Sequence, residues 1–109
     1  MDPVVLVEQL GPALFHVHLK DTALDPSEIA VAGVLDDRPF DGPRAWIQRT
    51  IGRGHDAVWW SRFLATLRRA GYTRALSIEN EDPDQTYEEG VREAASFLHP
   101  LLEQLEVAA

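Results

Sequence analysis

Two stretches of the chain alternate with period two, and three others repeat at helical spacing. In the first alternating stretch Phe15, Val17 and Leu19 share one phase, and His16, His18 and Lys20 share the other. Successive side chains of a strand point to opposite faces, so residues 13–19 predict a strand with one apolar and one chemically active face. Residues 74–79 repeat the plan. Leu76 and Ile78 oppose Ala75, Ser77 and Glu79, with the reactive group again last. The helical stretches carry their own start and stop signals. Asp2-Pro3 caps a first helix whose buried side would be Val4, Val5, Leu6, Val7 and Leu10, ended by Gly11 and Pro12. Asp56 caps a second, running to about residue 70, with Trp59, Phe63 and Leu67 at four-residue spacing beside Trp60 and Leu64; Gly71 stops it. Thr86-x-x-Glu89 is a capping box for a last helix, buried along Val91, Ala94, Ala95, Leu98, Leu101, Leu102 and Leu105. Pro100 inside it predicts a kink or a division.

Residues 21–53 carry less pattern. Asp25-Pro26, Arg38-Pro39, Asp41-Gly42-Pro43 and Gly52-Arg53-Gly54 punctuate them as turns. Residues 29–35 read as a short strand or as irregular, and residues 46–51 as extended. A connection of this length is uncommon in a compact domain unless it has a task. The order is then helix, strand, long loop, helix, strand, helix, expected as a right-handed parallel unit. The expected fold class is α/β. Strands with helix-packing outsides and polar insides describe the wall of an α/β barrel, whose chemistry lies at the C-terminal ends of its strands. Such a barrel would be incomplete, because two strands are about a quarter of an eight-stranded wall. Residues 1–109 read as a single domain without repeats or linkers. Open sheet edges and an aromatic helix stripe lacking neighbours predict self-association.

Composition narrows the function classes. A 45% apolar share suits a globular domain. A net charge of −8 opposes a nucleic-acid surface and favours small-molecule partners. The sequence has no cysteine, which excludes disulfides, zinc fingers and thiol catalysis and accords with a cytoplasmic location. No apolar run approaches the roughly 20 residues that span a bilayer, and no basic segment opens a signal peptide, so no membrane partner is expected.

Several motifs, taken together and in order, resemble the sugar phosphate isomerase/epimerase family of xylose-isomerase-like TIM barrels. They are His-Val-His-Leu-Lys-Asp-Thr (16–22), Gly-Val-Leu-Asp (33–36), Arg-Thr-Ile-Gly-Arg-Gly-His-Asp (49–56), Gly-Tyr (71–72) and Leu-Ser-Ile-Glu-Asn-Glu-Asp-Pro (76–83). The resemblance spans nearly the whole chain. It implies the last two βα units of such a barrel with the preceding helix, an incomplete barrel. It also implies one divalent metal held by a glutamate, an aspartate, a histidine and a final glutamate. His18 and Glu79 match the last two ligands; the others would lie on earlier strands that this sequence does not contain. The ion would be Mn, Mg, Co or Zn, and present only in a completed site. The implied reaction isomerises or epimerises a small sugar or sugar phosphate through an enediolate, with Glu79 as metal ligand and acid/base. Arg49 would bind substrate oxygens or phosphate, and His16, Lys20 and His55 would line the site.

Each residue also has a plainer reading. A lone His-x-His is often satisfied by hydrogen bonds, and Glu79 alone would be a solvated strand-end acid. Arg49 could neutralise Asp36, Asp37 or Asp41. Glu81 and Asp82 read as an exposed acidic turn, and His55 as a helix cap. Trp59, Trp60 and Phe63 read as core. Gly52-x-Gly54 falls short of a dinucleotide fingerprint. Against the isomerase stands a non-catalytic chain or subunit that needs the missing barrel part; half a metal site predicts an inactive isolated chain. Apurinic-site endonucleases share the barrel but are disfavoured: they use an Asp-x-His pair after the His strand, and Arg53 stands two before His55 here.

Overall fold

Asp2 closes the first helix as its Asp-Pro signature predicts. Its carboxylate accepts from the Val4 amide at 2.9 Å, and α1 runs Pro3–Leu10. The computed structural model describes the backbone of residues 1–108 and side chains through residue 106. Only Val4 and Val7 of α1 are buried; Val5, Leu6 and Leu10 are exposed, so the buried stripe is narrower than expected. A 3-10 turn, Gly11–Ala13, then delays the strand. β1 is Val17–Leu19, and Phe15, expected on the apolar face, is 70% exposed.

β1 pairs in parallel with β4, Leu76–Ile78, in the register Val17↔Leu76, His18↔Ser77, Leu19↔Ile78. The chain changes sheets at Lys20. β2, Asp21–Leu24, pairs antiparallel with β3, Trp46–Arg49. The intervening residues are ordered by two aspartates. Asp25 caps α2, Pro26–Ala32, by accepting from the amides of Ser27 and Glu28. This helix stands where a strand or irregular chain was expected. The Asp-Pro pair that opens it is the same signal as Asp2-Pro3. Asp36 is buried, accepts from the Ala45 amide at 2.7 Å and receives a two-pronged bond from Arg38. The Arg44 guanidinium lies over the rings of Phe40 and Trp46, 4.2 and 4.5 Å from their centroids.

Asp56 caps α3, Ala57–Arg69, through the Trp59 amide, and Gly71 follows in the left-handed region (φ 87°). The capping box forms in both directions, Thr86 N–H to Glu89 and Glu89 N–H to Thr86. α4, Tyr87–Ala108, passes through Pro100 undivided. The carbonyl that Pro100 leaves without its usual donor belongs to Ser96, which is exposed. Val91 and Ala95 are exposed, and the helix buries Ala94, Leu98 and Leu101. These join Val7, Val17, Leu19, Ile51, Trp60, Leu64 and Leu67 in one hydrophobic core.

The fold therefore corrects the expectation of a barrel's last two βα units. Among the described residues there are four α-helices and two separate two-stranded sheets, with no βα repeat. A barrel wall needs each strand bonded on both sides to parallel neighbours. Here each strand has one partner, and the second sheet is antiparallel because residues 21–49 fold back on themselves instead of forming a long loop. The architecture is a small α/β domain. No helix of the described residues is long and apolar enough to cross a membrane.

Candidate functional site

The parallel register brings the last residues of the two polar strand faces together. The Glu79 amide donates to the Leu19 carbonyl at 2.9 Å, which extends the ladder one residue beyond β4 and fixes where the Glu79 side chain leaves the sheet. Its Oε2 lies 3.4 Å from His18 Nδ1, and its Oε1 accepts from Lys20 Nζ at 3.1 Å. Lys20 also reaches Glu81 at 3.2 Å. His16 stands edge-on to His18, ring centroids 4.9 Å apart, with Nε2 3.3 Å from Ser77 Oγ. All of this lies on an open face: the side chains of His18 and Glu79 are 59% and 41% exposed. The bonds from Lys20 and His18 hold the Glu79 carboxyl below its ordinary range. Burial pulls the Lys20 ammonium down, but the paired carboxylates outweigh it and hold it above its ordinary value.

A metal held by His18 and Glu79 can be tested against this geometry. Two ligands each about 2.1 Å from one tetrahedral ion stand about 3.4 Å apart, so the pair suits one ion in chemistry and separation. Two donors do not close a coordination sphere. Among the described residues no group of three or more His, Cys, Asp or Glu side chains could hold a metal. The pair by itself therefore does not make a metal site.

The other expected site residues divide. Arg49 is committed elsewhere. Its Nη1 lies 3.2 Å from Asp82 and 2.6 Å from Asp84, not beside Asp36, Asp37 or Asp41. Asp82 is no exposed turn acid. It is 5% exposed and accepts from the Thr50 and Asp84 amides at 2.9 Å. Its burial raises the cost of its charge, yet these amides and Arg49 keep its carboxyl below the ordinary range. His55 is not a helix cap, since Asp56 fills that position. Instead His55 Nδ1 bonds to Asp21 Oδ1 at 2.7 Å, and its ring lies against Trp59 with centroids 4.2 Å apart. Trp60 is core at 1% exposure, whereas Trp59 is only partly buried.

Asp21 is the residue that the sequence reading missed. It is 1% exposed and accepts from the amides of Thr22, Gly52, Gly54 and His55, from His55 Nδ1 and from Trp60 Nε1. Burial works against its charge, and these donors overcome it, so the carboxyl sits below its ordinary range. A Cβ on Gly54 would stand 2.5 Å from Asp21 Oδ1 and 2.6 Å from the Thr22 carbonyl, so only glycine lets this loop close on the carboxylate. The signal was present: Asp21 continues the phase of Phe15, Val17 and Leu19, an acid on the apolar face. Such an acid must find donors, and a Gly-x-Gly loop is a ready source of them.

No family model matches the chain. The sequence is similar to Uncharacterized protein YfiH of Bacillus subtilis (strain 168), 33% identical over 105 residues. The match covers 94% of this chain and 34% of that protein, so the chain spans about a third of the relative's length.

Proposed function

We propose that the His18–Glu79 pair belongs to a site that isomerises or epimerises a small sugar or sugar phosphate by moving a proton beside a carbonyl. The observation that supports this reading most is the convergence of a carboxylate, an imidazole and an ammonium at one strand end, with Glu79 3.4 Å from His18 and 3.1 Å from Lys20. Glu79, kept ionised by those neighbours, is placed to accept a proton from carbon and return it. Lys20 offers positive charge to an oxygen that gains negative charge as the proton leaves. His18 and Glu79 would hold a divalent ion, which when bound polarises the substrate's carbonyl and hydroxyl oxygens. The motif resemblance to sugar phosphate isomerases and epimerases supports the same reaction class.

A second reading is favoured by the donor count: with two metal donors among the described residues, the chain binds an ion and a sugar without turning the sugar over. One experiment addresses both. The purified chain is incubated with Mn²⁺ and a ketose in D₂O, and deuterium entry beside the carbonyl is followed by NMR. Metal-dependent exchange that is lost in Glu79→Gln supports catalysis. Mn²⁺ binding without exchange supports the second reading. Absence of Mn²⁺ binding at His18 and Glu79 contradicts both.

A further inference from the structure

A groove of about 490 Å³ lies at the opposite end of β4 from Glu79, between the C-terminal halves of α3 and α4. Its apolar walls are Leu64, Leu67, Leu76, Leu102 and Leu105. Leu64 and Leu67 are buried at 2% exposure, and the other three are half-buried. The most exposed groups that line it are polar: Arg68, Thr73, Arg74 and Glu106. The leucines are thus recessed beneath a polar rim. Apolar surface set back in a groove of this volume is the form of a small-molecule pocket.

The charge at the rim selects the ligand. Acids outnumber bases 18 to 10 in this chain, so carboxylate partners are abundant. Lys20, Arg38, Arg44, Arg49, Arg53 and Arg92 each form an ion pair. Among the described residues Arg62, Arg68, Arg69 and Arg74 form none, and they stand together in residues 62–74. Arg62 and Arg69 lie outside the groove, and Arg69 is spent on the Thr66 hydroxyl at 3.0 Å. Arg68 and Arg74 line it. Arginines near helix ends often serve the exposed carbonyls there, and Arg68 does so with one group: its Nη1 donates to the Leu105 carbonyl at 2.5 Å. That bond ties α3 to α4 and leaves four of the guanidinium's five N–H groups. Arg74 makes one long bond, 3.5 Å to the Phe15 carbonyl. Glu106 offsets one of the two positive charges, so the rim keeps a single net positive charge. A guanidinium fork matches a carboxylate, and one net charge suits a monoanion. We propose that this groove binds a small amphiphilic carboxylate of the medium-chain fatty-acid class, its apolar body against the leucines and its carboxylate on the free N–H groups of Arg68 and Arg74.

The test is NMR of the intact chain with labelled leucine methyl groups, titrated separately with decanoate, 1-decanol and acetate. Decanoate should shift the methyls of Leu64, Leu67, Leu102 and Leu105 saturably. Acetate, which lacks the apolar body, should not. 1-Decanol, which lacks the charge, should bind at least about tenfold more weakly. Raising the salt concentration should weaken decanoate and spare 1-decanol. The double variant Arg68→Gln/Arg74→Gln should lose about tenfold in decanoate affinity and keep its affinity for 1-decanol. Absence of a saturable shift at these leucines, or equal affinity for decanoate and 1-decanol in the wild type, would overturn the proposal, and neither reading needs a variant. Shifts of the same methyls with protein concentration alone would place a second copy in the groove and overturn it too. The groove shares no residue with the His18–Glu79 pair, so failure at either leaves the other standing.

Discussion

The two carboxylates Glu79 and Asp21, one just after β4 and the other the first residue of β2 in the other sheet, lead opposite lives. Glu79 lies on the open face, holds two side-chain partners and remains 41% exposed. Asp21 lies on the apolar face at 1% exposure, and backbone and ring N–H groups saturate both of its oxygens. One charge is available to a ligand, and the other is consumed in holding a loop. Strand alternation alone separates them: Lys20 and Glu79 share the polar phase, and the residue after Lys20 must point the other way. The comparison teaches that an acid in the apolar phase of a strand is a demand for donors, and that a nearby glycine loop supplies them.

The largest effect should come from emptying the buried position. Asp21→Ala leaves the Gly52, Gly54 and Trp60 donors without their acceptor and is expected to cost about 3–5 kcal/mol of stability by urea unfolding. A loss below about 1 kcal/mol would mean that the loop holds itself. Gly54→Ala attacks the same contact from the other side. Its Cβ would press on the Asp21 carboxylate and the Thr22 carbonyl, with an expected cost of about 1–3 kcal/mol. Unchanged stability there would show that the loop yields freely.

Acid should weaken the buried region next. Asp21, Asp36 and Asp82 all titrate below their ordinary values when folded. The unfolded chain therefore binds more protons as pH falls. Their contribution is fully present above the unfolded value of about 4 and is lost as pH drops through the folded values. Unfolding midpoints measured from pH 6 to pH 2 should decline, and Asp21→Asn should flatten that decline. An identical slope in the variant would remove Asp21 as its source. The smallest stability effect belongs to the open face. His18→Ala should leave the thermal midpoint nearly unchanged, since its partner stays solvated.

Much of the helical framework could be read in advance because caps and apolar spacing are local. Asp2, Asp56, Gly71 and the Thr86–Glu89 box sit where their chemistry placed them. The parallel meeting of His18 and Glu79 was legible from two matching alternations. The closure of the sheet was not. Nothing local says how many partners a strand will have, and the barrel expectation failed on that point. The helix at Pro26–Ala32 was missed because it is only seven residues long and none of its apolar residues is buried, although its cap was as clear as that of Asp2. Arg49 and Asp82 could not be paired from sequence, since 33 residues and a change of sheet separate them.

The central claim is that the open pair serves a ligand and the buried carboxylate serves the fold. The most direct test measures Mn²⁺ affinity and thermal midpoint together for the wild type and Glu79→Gln. The account predicts saturable Mn²⁺ binding in the wild type and its loss in the variant, with the midpoint unchanged. Retained Mn²⁺ binding in Glu79→Gln, or a midpoint that falls as far as in Asp21→Ala, would contradict it.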